Sequence, residues 1–240
     1  MDIKLIAARK SLEFPVDGLR LTAISTPDTL DAIRNVFRFQ GVQIAQPMET
    51  FGLVARVIPP GVVFNSGSWT DPTYGSVFVR FLHIEQTRIV MDIAGPSEVL
   101  VGLGEAVVKT IRDVAQVFDD GPALTDPETE WHYSEMTIQL PAPLSMILPV
   151  PLRQLWLQSI PDHANKLLST ALYADQHVPD APYEGDRLAS PIKSQGYRLS
   201  LRKGINPAAH VYFSGAPLDT AAHRAYLKKV YDIVQQHMHT

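Results

Sequence analysis

Between residues 76 and 118 the spacing of apolar positions changes twice. Val77 to Ile84 is rich in β-branched and aromatic residues on both alternating sets, Val77, Val79 and Phe81 against Phe78, Leu82 and Ile84, with Arg80 between them. That composition predicts a strand inside a sheet rather than at its edge. Glu85, Gln86 and Thr87 make a polar turn, after which Ile89, Met91 and Ile93 alternate with Arg88, Val90 and Asp92. The two runs predict a hairpin with one clear inner side. After Gly95-Pro96 the step becomes three or four. Leu100, Leu103, Val107, Ile111, Val114 and Phe118 form one stripe, with Glu105, Lys109, Arg112, Asp113 and Gln116 opposite it. Such a stripe predicts an amphipathic helix. Pro96 suits its first turn and Glu98 its dipole, and Asp119-Asp120-Gly121-Pro122 ends it. The helix needs a sheet face to cover, and Ile89, Met91 and Ile93 supply one.

The same reading extends to both ends of the chain. Ile3 to Ala8, Leu19 to Ile24, Phe51 to Ile58 and Val62 to Trp69 have strand character. Thr26-Pro27-Asp28 reads as a cap, a first-turn proline and an acidic residue ahead of a short helix with Leu30, Ile33 and Phe37 inward. The first half then reads β-α-β-β-β-β-α, an order that resembles one repeat of the TATA-binding-protein-like fold in topology; no residue motif of that family accompanies it. Residues 119–130, acidic and holding Gly121, Pro122 and Pro127, form a seam between 1–120 and 121–240. Beyond it, Trp131 to Leu140 predicts a strand, Leu152 to Ser159 and Asp162 to Ala174 predict helices, and 178–196 predicts a long loop. Tyr197 to Leu201 and Ala209 to Phe213 predict a hairpin. A last helix follows with Tyr226, Val230, Ile233 and Val234 inward. Each half closes on a hairpin, a proline, an acidic residue (Glu98, Asp219) and a long helix. The expected fold class is α+β, with antiparallel sheets covered by long helices in two loosely similar halves.

Composition narrows the functions this scaffold can serve. The chain has 240 residues, 45% of them hydrophobic, enough for a sizeable core. A net charge of −4 with no basic domain or tail opposes duplex binding by phosphate neutralisation, so no nucleic-acid partner is expected. The absence of cysteine excludes disulfides, thiolate nucleophiles and cysteine-based zinc or iron–sulfur sites. The N-terminus lacks a signal-peptide layout. The longest uncharged stretch, Met136 to Leu152, is short for a membrane span and carries Pro141, Pro143, Pro149 and Pro151. A soluble, cytoplasmic protein is expected.

No motif names a reaction. Gly102-Leu103-Gly104 mimics part of a dinucleotide fingerprint, but its glycines fall inside the helical stripe instead of at a strand-to-helix turn. Asp219 and His223, four apart on the last helix, supply at most two metal ligands. Ser190-x-x-Lys193 and Ser200-x-x-Lys203 do not open helices, and no Gly-x-Ser-x-Gly occurs. No cofactor or metal is expected. Two surfaces stand out. In the hairpin near residue 200, Arg198, Arg202, His210 and Tyr212 alternate with apolar residues. On one sheet face they would converge on a small anionic or polar ligand. Met146, Ile147, Leu148 and Trp156, in the proline-rich stretch, would dock a protein partner or an apolar ligand. The expected function is therefore a non-enzymatic binding or protein-interaction module. The alternative is a hydrolase-like small-molecule enzyme using the same four polar residues in a cleft between the halves. A pocket at His210 with carboxylates nearby would favour the enzyme.

Overall fold

In the computed structural model, residues 1–45, 61–115, 123–151, 172–174 and 197–238 are described, 172–174 as backbone alone. The chain divides into two compact units: Ala7–His132, here the N-terminal unit, and Met1–Ile6 with Tyr133–Thr240, the C-terminal unit. Both are mixed α and β, and every strand pair described below is antiparallel.

The N-terminal unit takes in β1 (Asp2–Glu13) from Ala7 onward, α1 (Leu21–Ile24), α2 (Pro27–Val36), β2 (Gly41–Ala45), β3 (Gly61–Asp71), β4 (Gly75–Glu85), β5 (Arg88–Ile93) and α3 (Val99–Val114). Its strands lie in the order β2-β3-β4-β5-β1. One face carries Ile89, Met91 and Ile93, paired in register with Leu12, Lys10 and Ala8 of β1. The α3 residues Leu100, Leu103, Val107 and Ile111 are buried in the same apolar cluster as Ile89, Met91 and Ile93. Full burial of each such side chain contributes roughly 1.5–3 kcal/mol. A Cβ on Gly104 would stand 3.3 Å from Met91 Cε and 3.7 Å from Leu12 Cδ1. The small residue brings the helix close to β5 and β1, so Gly104 serves packing. The helix starts at Val99, after a turn in which Val99 and Leu100 donate to the carbonyls of Pro96 and Ser97. Phe118 lies outside the described residues.

Strand β4 departs from strict alternation. Val79 faces Ile93, but Phe81 faces Asp92, which leaves Arg80 as the extra residue of a β-bulge. The phase flips there. Val77, Val79, Leu82 and Ile84 are all buried, while Phe78 is 50% exposed. An inserted residue leaves composition untouched and shifts every later side chain to the other face, so period counting cannot detect it.

Three further expectations change. Leu19 makes only an isolated bridge to Leu124, and Leu21–Ile24 is a helical turn because the Arg20 carbonyl accepts from both Ala23 and Ile24. Local bonds there satisfy backbone that has no neighbouring strand among the described residues. Thr26 does not cap α2; its hydroxyl donates to Ala23 O at 3.0 Å. Strand β2, five residues long, carries too little pattern to have been expected. The expected strand Phe51 to Ile58 lies outside the described residues.

The C-terminal unit holds β6 (Thr129–Gln139) from Tyr133 onward, a 3-10 turn Leu144–Ile147, β7 (Leu172–Ala174), β8 (Tyr197–Leu201), a 3-10 turn Pro207–Ala209, β9 (Val211–Ala216) and α4 (Thr220–His237), with strand order β6-β9-β8-β7. Leu172–Ala174, expected to end a helix, instead pairs with Tyr197–Leu199, where β8 satisfies its backbone. The rest of that helix, the one expected over 152–159 and the loop 178–196 lie outside the described residues. On α4 the buried set is Thr220, His223, Leu227, Val230 and Val234, whereas Ile233 is 45% exposed and Tyr226 half-buried. The stripe is offset from the expected one because a polar residue, His223, belongs to it. No helix among the described residues is long and apolar enough to cross a membrane.

Candidate functional site

Asn206 opens the tight turn ahead of β9. Its side-chain carbonyl accepts from Ala208 N at 3.0 Å, and Pro207 suits the first turn. His210 closes the turn in left-handed backbone, at φ 50° and ψ 38°. That conformation costs a non-glycine residue on the order of 1–2 kcal/mol. It is pinned on both sides: His210 N–H donates to Pro207 O at 3.0 Å, and its carbonyl accepts from Leu140 N at 3.0 Å. Gln139 Nε2 adds a bond to Ala209 O at 3.3 Å. The result places His210 in the lining of an open cavity of about 420 Å³, with Met1, Asp2, Gln139, Leu140, Pro141, Ala208, Ala209 and Tyr231. That size falls in the usual range of small-molecule sites. Its lining thus includes a histidine, an aspartate, a glutamine and a tyrosine. Asp2 is exposed and also pairs with Lys4 at 3.3 Å.

Of the four ligand candidates, only His210 lines this cavity. Arg198 and Arg202 are exposed and share a sheet face with Ser200 and Phe213. Tyr212 pairs with Leu201 on the opposite face, is fully buried, and accepts from Leu144 N through its hydroxyl at 2.8 Å. Burial pushes its phenol above the ordinary value. The reversal has a simple cause: tyrosine buries as a large apolar ring once its single hydroxyl has a partner. Met146 and Ile147 are half-buried against the C-terminal core, Leu148 is half-buried, and Trp156 lies outside the described residues.

Two polar clusters carry no sequence motif. In the C-terminal unit His223 is fully buried, with Nδ1 2.8 Å from Ser134 Oγ and Nε2 2.8 Å from Ser214 Oγ. Burial lowers its pKa to about 4, so the ring is neutral at pH 7. Asp219 caps α4 by accepting from Ala222 N at 2.7 Å, while both ring nitrogens of His223 are taken by serine hydroxyls. In the N-terminal unit Glu85 is held by Arg88 Nε and by His83 Nδ1, the latter at 3.0 Å. Burial alone would raise the Glu85 carboxyl, but the bonds from His83 and Arg88 together hold it below the ordinary range. Further along the same strand pair Asp92, 1% exposed, accepts from Arg9 Nη2 at 2.7 Å and forms an ion pair with Arg80, whose Nε lies 3.3 Å from its Oδ1. The Arg9 guanidinium also stacks over Phe81 at 5.3 Å from the ring centre. The one sequence hint was a charge in each apolar run: Arg80 and His83 in β4, Arg88 and Asp92 in β5. Among the described residues no three His, Asp or Glu side chains converge as a metal site would need. No protein-family model matches the sequence, and no curated protein is significantly similar to it.

Proposed function

We propose that the chain is a non-enzymatic binding protein that takes a small polar molecule in the cavity beside His210. The observation that carries this reading is a non-glycine residue held in left-handed backbone, at φ 50°, in the lining of a hollow of about 420 Å³. Strain of that kind persists where the surroundings impose it, often at ligand sites. A protein-docking role for Met146 and Ile147 is less favoured, because both already pack against their own core. The cysteine-free composition suits a reducing compartment such as the cytoplasm. The shared closing pattern of hairpin, proline and long helix supports reading the two units as diverged copies.

The test is ligand-observed NMR of the intact chain against a panel of sugars, amino acids and small carboxylic acids, followed by His210→Gly. Glycine removes the imidazole and accepts the left-handed backbone without strain. The expected result is a hit whose affinity falls about tenfold or more in the variant, with the fold intact. Unchanged affinity in His210→Gly sinks this site. One observation favours a hydrolase-like enzyme as the second reading: Asp2 and His210 line the same cavity. That reading requires turnover of an ester or amide probe that disappears in His210→Gly.

A further inference from the structure

Val90 of β5, 7% exposed, has Ser11 of β1 and His83 of β4 as its register partners. Directly opposed residues in antiparallel strands share a face, so hydroxyl, isopropyl group and imidazole form one row across three strands. His83 is oriented within that row. Its Nδ1 is committed to Glu85 Oε1 at 3.0 Å, and Glu85 is held in turn by Arg88. Among the described residues the other ring nitrogen, Nε2, is buried without a hydrogen-bond partner, and so is Oγ of Ser11, a residue with 0% exposure. The two backbones stand about two strand spacings apart, roughly 10 Å, with the short Val90 side chain between them.

Buried polar atoms almost always find a protein or water partner, and an internal water needs at least two polar neighbours. The geometry points to an internal water seated over Val90, bonded to both Ser11 Oγ and His83 Nε2. It extends the row Arg88–Glu85–His83 to a third strand, as Arg88–Glu85–His83–water–Ser11. The ligand is water by size and by burial: the two atoms that would hold it, a hydroxyl oxygen and an imidazole nitrogen, are both buried. No bond is made or broken. The site is distinct from the His210 cavity and does not depend on that reading.

The test is a high-resolution crystal structure of the intact chain and of Ser11→Ala, with Ser11→Thr as the variant that keeps the hydroxyl should alanine fail to fold. The expected result is a solvent peak within hydrogen-bond distance of both atoms, lost in Ser11→Ala and kept in Ser11→Thr. In solution, a water cross-peak to the Val90 methyl protons is expected in the parent and absent from Ser11→Ala. An empty site, a direct Ser11–His83 bond, or a peak touching only one of the two atoms overturns the proposal.

Discussion

His223 in the C-terminal unit lies between two serine hydroxyls, whereas His83 in the N-terminal unit lies against a carboxylate that an arginine also holds. Both rings sit over sheets, and both are largely out of water. Both hydrogen-bond partners of the His223 ring are neutral hydroxyls, so burial dominates and the ring stays uncharged. The N-terminal unit instead gathers charge: Glu85 with Arg88 and His83, Asp92 with Arg9 and Arg80. Glu85 is held below the ordinary carboxylate range because bonds from His83 and Arg88 offset the cost of its burial. A sheet face can thus absorb polar residues either by neutrality or by pairing, and the two solutions fail under different conditions.

Removing a paired carboxylate gives the largest expected effect. Asp92→Ala leaves Arg9 and Arg80 facing a buried gap, and Arg9 is only 18% exposed. A broken buried pair costs roughly 3–5 kcal/mol, and the partial exposure of Arg80 places this one near the lower end, about 3 kcal/mol. Chemical denaturation of the variant measures it. A loss under about 1 kcal/mol would show that the charged cluster contributes no more than a surface pair.

Acid comes next and separates the units. His223 has a folded pKa of about 4 against an ordinary 6.5. Above pH 6.5 neither the folded nor the unfolded chain is protonated there, and the stability is complete. Below that the unfolded chain takes a proton and the folded one does not, so stability is lost progressively down to about pH 4. The total is about 3 kcal/mol. Glu85 is lowered from 4.5, so its contribution is present above pH 4.5 and is lost only as pH falls below that value toward its folded pKa. Between pH 6.5 and 4.5 the His223 contribution to the C-terminal unit should fall while the Glu85 contribution to the N-terminal unit stays intact. Hydrogen exchange at pH 7 and pH 5, corrected for intrinsic rates, checks this; equal losses in both units would remove the distinction.

The smallest expected effect sharpens the neutral side. Ser214→Ala strips one partner from His223 and leaves Nε2 buried and unsatisfied, at a cost of about 1–2 kcal/mol. The same variant should also make the acid loss of the C-terminal unit begin from a lower baseline without moving its window. A thermal melt at pH 7 and pH 5 reads both quantities.

Much of the secondary structure was legible because period is a local property. The β5 alternation and the α3 stripe each repeat a few residues apart, and a chain that folds as strand or helix must show them. The candidate site was less legible. His210 was singled out beside arginines in a polar alternation, but its place at the cavity depends on a left-handed turn bonded to Leu140, which is 70 positions away. Tyr212 was assigned to the wrong face because the ring and its hydroxyl point to different classes, and only the Leu144 amide decides between them.

By itself the sequence determined that this is a mixed α and β chain with an apolar stripe for α3, an inner face for β5, and no cysteine chemistry. Tertiary structure alone decided the bulge at Arg80, the pairing of Asp92 with two arginines, the neutral seat of His223 and the cavity at His210. The reason is that register, ion pairing and burial join residues distant in the chain, and spacing along one strand or helix carries no record of what lies across from it.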